Sequence, residues 1–129
     1  MIQDTIGAWH DLVRSSNPAG LDDILDEDVT FHSPVVFTPQ KGKAITRMYL
    51  TAALTVLFQN DFKYVREIIG TRDAMLEFTT EIDGILINGI DIISWGDDGR
   101  ITDFKVLLRP LKAVNIVHQK MAEMLDRAS

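Results

Sequence analysis

An α+β fold built on one curved antiparallel sheet is predicted by three observations in this sequence. Four segments rich in β-branched and aromatic residues crowd into residues 61–108, separated only by short turn signals. Consecutive strands joined so tightly must pair antiparallel, which rules out a doubly wound parallel sheet. Helical periodicity, by contrast, lies before residue 60 and after residue 110, with one short strand among the early helices.

The elements follow in order. Ile2, Ile6, Trp9 and Val13 recur at helical spacing, so residues 3–15 read as an amphipathic helix. Asn17-Pro18 is a helix start, a capping side chain followed by proline at the first helical position, and a short second helix runs to about Leu25. Its acidic residues Asp22, Asp23, Asp26, Glu27 and Asp28 read as a solvated face, because their spacing is not that of a calcium loop. Val29, Phe31 and Ser33 alternate with Thr30 and His32 as a short strand that Pro34 ends. Residues 35–42, with Pro39 and Gly42, read as a loop.

Over residues 43–59, Ile45, Met48, Tyr49, Ala52, Val56 and Leu57 form one face of a long third helix. Strands are predicted at 61–70, 74–82, 85–95 and 100–108. Asp83-Gly84 and the stretch from Gly96 to Gly99 are hairpin turns, because Asp and Gly tolerate positive φ. A turn at Asn88-Gly89 would cut its strand too short, so a sheet-curving bulge is predicted there instead. Pro110 stops the last strand, and Leu111, Val114, Val117, His118, Met121 and Leu125 mark a C-terminal helix.

Composition bounds the function. The 129 residues fit a single domain spanning 1–129, with 46% hydrophobic and 25% charged residues, ordinary values for a globular chain. The absence of cysteine excludes disulfides and thiolate metal sites and fits a cytoplasmic protein. A net charge of −6, with basic residues scattered except for Lys41 and Lys43, argues against nucleic acid as a partner. No apolar stretch approaches the roughly 20 residues of a membrane helix, and Met1-Ile2-Gln3-Asp4 does not open a signal peptide. Three histidines without paired spacing, and no glycine-rich phosphate loop, predict neither a metal nor a nucleotide cofactor.

Two segments carry a family resemblance. Gly89-Ile90-Asp91-Ile92-Ile93-Ser94-Trp95, followed by Asp98-Gly99-Arg100-Ile101, resembles the last hairpin of the nuclear transport factor 2-like superfamily. Val29-Thr30-Phe31-His32-Ser33-Pro34 resembles its first strand. The superfamily includes ketosteroid isomerases, scytalone dehydratase and SnoaL-like polyketide cyclases, and the resemblance spans about residues 3–110. It implies a cone-shaped, cystatin-like sheet wrapped around helices over one pocket for a small apolar, oxygen-bearing molecule, with the C-terminal helix as an addition. It also implies a homodimer through the outer sheet face. The outward residues Glu77, Thr79, Glu81, Ile92, Ser94, Lys105, Leu107 and Arg109 make a mixed surface suited to such a contact.

In the ketosteroid isomerases a tyrosine on the first helix and a carboxylic acid kept neutral by an apolar site donate hydrogen bonds to an enolate oxygen, while an aspartate before proline moves the proton. The resemblance places Trp9, Asp91 and Ser33 at these three positions, so one of the three residue types is retained. Ser33 is a poor proton acceptor without a neighbouring base, which makes the isomerase route in its usual form improbable. His32 points away from Ser33 by strand alternation, His10 falls toward the edge of its helix, and His118 reaches the mouth of the cone only if its helix folds over it.

Strand parity, independently of the resemblance, turns Phe31, Ser33, Leu76, Phe78, Thr80, Asp91, Ile93, Trp95, Phe104, Val106 and Leu108 inward. Of these, Phe31, Leu76, Phe78, Thr80, Ile93, Trp95, Phe104, Val106 and Leu108, together with Tyr49, are the predicted ligand-contacting residues. Burial in that apolar wall would raise the pKa of Asp91 and let it donate a hydrogen bond to a carbonyl or developing oxyanion. The alternative is a structural acid satisfied by a backbone N–H or by a hydroxyl such as that of Tyr49. Three functions compete on these grounds: a proton-transferring isomerase, cyclase or dehydratase with Asp91 at its centre, a non-catalytic binder of lipophilic molecules, and a homodimeric association module.

Overall fold

Asp4 starts the first helix: its Oδ1 accepts the Gly7 backbone N–H at 2.9 Å, capping α1 (Thr5–Ser15). Thr5, Ile6, Trp9 and Leu12 form the buried stripe of this helix, which ends at Ser16 in the left-handed conformation. The Thr5 hydroxyl donates to the Gly99 carbonyl at 2.7 Å, pinning the start of α1 to the turn between the last two strands. The computed structural model describes residues 2–59 and 61–128, leaving aside the side chains of residues 127 and 128.

Asn17-Pro18 opens a 3-10 turn, Pro18–Gly20, that runs into the single-turn helix α2 (Leu21–Ile24). Acidic residues within and after it meet basic residues of the next helix, Asp22 with Arg47 and Glu27 with Lys43. Strand β1 (Leu25–His32) starts four residues ahead of the predicted Val29, and a short β2 (Gln40–Lys41) lies within the predicted loop. Helix α3 spans Lys43–Val56. Then come β3 (Lys63–Ile69), β4 (Asp73–Ile82), β5 (Ile85–Trp95), β6 (Ile101–Arg109) and helix α4 (Leu111–Ala128).

One six-stranded sheet in the order β2-β1-β6-β5-β4-β3 wraps the helices. All pairs are antiparallel except β1 with β6, which run parallel; the intervening helix and four strands supply the crossover that a parallel pair needs. The β4–β5 turn is Asp83-Gly84 with φ of 51° and 80°, the two-residue hairpin expected of that pair.

The predicted bulge at Asn88-Gly89 is absent. Pairing runs unbroken there, and β5 and β6 slip instead between Ser94 and Trp95. Gly89 is required by packing: a Cβ on it would lie 2.3 Å from Phe78 Cζ and 2.8 Å from the Leu107 carbonyl oxygen. The Phe78 ring therefore lies across bare backbone.

The inner face of the sheet follows the predicted alternation, with Ala74, Leu76, Phe78 and Thr80 buried on β4 and Ile87, Asp91 and Ile93 on β5. Trp95 and Leu108 are only half-buried. On α3 the buried residues are Thr46, Leu50, Ala52, Ala53 and Leu54, so the predicted stripe holds at Ala52 but is turned toward Leu50 and Leu54, and Met48 is 41% exposed. This helix packs against both β1 and α4, so apolar residues on two flanks blur the sequence pattern. Helix α4 lies across α3, β5 and β6 with Ala113, Ile116 and Val117 buried. Among the described residues, no helix is long and apolar enough to cross a membrane.

Candidate active site

A cavity of about 180 Å³ opens between the sheet, α3 and α4. The sheet contributes Phe31, Asp91, Phe104 and Val106, and α3 contributes Tyr49, Leu50 and Ala53, extended by Leu57 and Phe58 just past its end. Ser33 to Val36 form part of the rim, and Val117, His118, Met121, Ala122 and Leu125 of α4 form the remaining wall.

Asp91 is the buried acid of this cavity, 1% exposed on the inner face of β5 between Leu76 of β4 and Val106 of β6. Its partner is Tyr64. The Tyr64 hydroxyl donates to Asp91 Oδ2 at 2.6 Å and accepts the indole N–H of Trp9 at 2.9 Å. A chain of two hydrogen bonds thus runs from α1 through β3 into the cavity wall. Burial is the main influence on Asp91 and pushes its pKa from 3.8 up to about 7, with the Tyr64 hydrogen bond opposing the rise. Tyr64 is pushed well above its ordinary value, first by burial and then by the neighbouring Asp91, so it stays a donor. His10, hydrogen-bonded to Glu67, sets its ring edge-on against Tyr64.

Trp9 does not reach the cavity, in contrast to its predicted role as a second donor to the ligand. It is fully buried, its N–H is committed to Tyr64, and it stands behind Phe58 and Phe104 with ring centroids at 5.9 and 5.0 Å. Ser33 lines the cavity, but its Oγ accepts backbone N–H groups from Val35 at 3.1 Å and Val36 at 3.3 Å. The hydroxyl is therefore occupied in holding the rim turn.

Of the predicted contacts, Phe31, Tyr49, Phe104 and Val106 line the cavity. Leu76, Phe78, Thr80, Ile93, Trp95 and Leu108 do not. The first four of these are buried in the inner face, where Phe62 stacks on Phe78 and Tyr64 meets the same ring edge-on. Tyr49 stacks on Phe31 at 5.2 Å, and it is Tyr64, not Tyr49, that satisfies Asp91.

The sequence reading missed Tyr64. Its signal was parity, for Tyr64 pairs with the inward Phe78, but β3 slips register between Tyr64 and Arg66, which disrupts alternation along that strand. Among the described residues no three His, Cys, Asp or Glu side chains converge to hold a metal ion.

The family model of the SnoaL-like domain matches residues 6–104. The chain belongs to the SnoaL-like domain family. Among solved structures, this SnoaL-like chain is similar to a steroid delta-isomerase from Pseudomonas aeruginosa, at 33% identity over 96% of this chain and 90% of that one, with a TM-score of 0.91. It is also similar to an uncharacterised protein with a cystatin-like fold from Silicibacter pomeroyi, at 26% identity over 95% and 85% of the two chains, with a TM-score of 0.85. A nuclear transport factor 2-like protein of unknown function from Mesorhizobium loti shares the fold at 17% identity, with a TM-score of 0.71 over 82% and 88% of the two chains. No curated protein matches the sequence. These likenesses give the SnoaL-like chain the cystatin-like, nuclear transport factor 2-like fold, with the curved sheet and C-terminal helix described above.

Proposed function

We propose that the cavity binds a small, mainly apolar molecule carrying one carbonyl or phenolic oxygen, and that Asp91 acts on that oxygen as hydrogen-bond donor or acid. The reaction class is proton transfer of the isomerase, cyclase or dehydratase kind. One observation carries this reading: a carboxyl group with a pKa of about 7 faces an apolar cavity with Oδ2 held by Tyr64. The other carboxyl oxygen is then the one available to a ligand. At neutral pH such a group populates both protonation states, which suits an acid–base role. Likeness to a steroid delta-isomerase supports the class of chemistry.

The volume limits the ligand. A cavity of about 180 Å³ suits a compact ligand of one or two rings.

The test is binding of phenols and naphthols of graded acidity, followed by tryptophan fluorescence, since Trp9 touches the Phe58 and Phe104 rings of the cavity wall. Affinity should vary systematically with acidity, and Asp91→Ala should abolish the trend. Affinity that tracks apolar size alone would instead support a passive lipophilic binder. That second reading draws on Ser33, whose hydroxyl oxygen is not basic and already accepts two backbone N–H groups.

The outer sheet face supports a homodimer as part of the same proposal. Ile68, Met75 and Ile92 adjoin across β3, β4 and β5, and Ile90 pairs with Leu107 beside them. Ile68 is 60% exposed and Leu107 47%, so the stripe is largely uncovered. The Arg66–Glu77 ion pair and Lys105 flank it, giving a second copy both apolar area and matching charge. Light scattering should report a dimer for the parent chain and a monomer for Ile92→Glu; a monomeric parent at high concentration would remove this assignment.

A further inference from the structure

We propose that His118 is the proton acceptor that works opposite Asp91 in this cavity, taking a proton from the carbon beside the carbonyl of a one- or two-ring ketone. The inference rests on the proton-transfer reading above and names the partner that reading lacks.

The family pattern supplies an acceptor from the end of the first strand, and here that position is Ser33, an alcohol already engaged by two backbone N–H groups. Some other side chain must therefore receive the proton. Among the described residues lining the cavity, only Asp91, Tyr49 and His118 titrate. Asp91, polarising the carbonyl as a donor, cannot at the same moment be the acceptor. A phenol such as that of Tyr49 is a donor at neutral pH, whereas imidazole both takes up and releases protons there.

Placement agrees with this division. Asp91 rises from the sheet, while His118 stands on α4 with Val117, Met121, Ala122 and Leu125, so donor and acceptor belong to different walls. His118 is exposed as well as lining the cavity, which lets it exchange a captured proton with water. The other two histidines are occupied elsewhere, His10 with Glu67 and His32 with Asp103 at 2.9 Å. Helix α4 lies beyond residues 6–104, which the family model matches.

The step balances without a co-reactant. A ring nitrogen of His118 takes the proton from the α-carbon, and the C–H electron pair becomes the new C=C bond. The carbonyl π pair moves to oxygen, which the Asp91 O–H stabilises or protonates. In reverse, the imidazolium returns a proton to the carbon, or a deuteron after exchange with D2O.

The experiment is α-hydrogen exchange of 2-tetralone in D2O, followed by proton NMR, with the naphthol binding assay on the same proteins. The parent should exchange faster than buffer. His118→Ala should lose at least tenfold in exchange rate while binding naphthol within about twofold of the parent, and added imidazole should restore part of the rate. Exchange at the parent rate in His118→Ala, or a loss that imidazole does not restore, overturns the assignment of His118. If Asp91→Ala alone abolishes exchange, the proton-transfer reading stands without His118. A parent chain that exchanges no faster than buffer overturns both.

Discussion

Tyr64 is the residue that sets the character of Asp91. Burial drives the carboxyl toward its neutral form, and the Tyr64 hydroxyl is the influence that pulls it back. Tyr64→Phe should therefore raise the Asp91 pKa above its value of about 7 and move the pH midpoint of naphthol binding upward. The same substitution leaves the indole N–H of the fully buried Trp9 without its acceptor, at a cost of about 1–3 kcal/mol in chemical denaturation. A pH midpoint that does not move would show that Tyr64 is only structural. At this scale Asp91 was legible in the sequence, because an acid among Ile and Trp at inward parity is costly to bury and stands out. Its partner was not, since choosing between two tyrosines depends on which strand lies beside which.

At the level of elements, β4 and β5 show why a glycine within a strand need not mean a turn or a bulge. Gly89 keeps regular pairing and exists to let Phe78 approach the backbone. Gly89→Ala should cost about 1–3 kcal/mol by overpacking, measured by urea unfolding, and adding Phe78→Leu should recover part of it. An alanine accepted without loss would mean that the Phe78 ring moves aside freely. Strands β3 to β6 were readable from β-branched content and from the Asp83-Gly84 turn, whose positive φ values are a local requirement. The early start of β1 was not, because Leu25–Asp28 is acidic and its strand state comes from joining the sheet. The buried face of α3 was displaced for a related reason, since two neighbours rather than one cover it.

For the whole molecule, a buried carboxyl with a raised pKa makes stability depend on pH. The folded chain holds the Asp91 proton up to about pH 7, whereas the unfolded chain releases it near its ordinary 3.8. Between those values the native state binds more protons, so this group lowers stability as pH rises from about 4 to about 7, and above that its destabilising effect stays constant. The full effect is on the order of 4 kcal/mol, from 3.8 to about 7 at 1.36 kcal/mol per pH unit. Asp91→Asn removes this contribution, so the stability of the variant relative to the parent should grow across that window and level off above it. Thermal unfolding at a series of pH values checks this, and a constant difference would place the Asp91 pKa outside the window.

What the sequence determined by itself was local: helical and strand periodicity, tight turns, the inward parity of β4, β5 and β6, and one acid facing an apolar interior. Each depends on residues a few positions apart and on the fixed periods of helix and strand. Tertiary structure alone decided which inward residues line open space and which fill the cone. It buried Leu76, Phe78 and Ile93 beyond the cavity, and placed Trp9 behind its wall. It also brought His118 on α4 into the same cavity as Asp91 on β5. Those outcomes depend on how helices cross a curved sheet, and that geometry sums small contacts from every element rather than residing in any one segment.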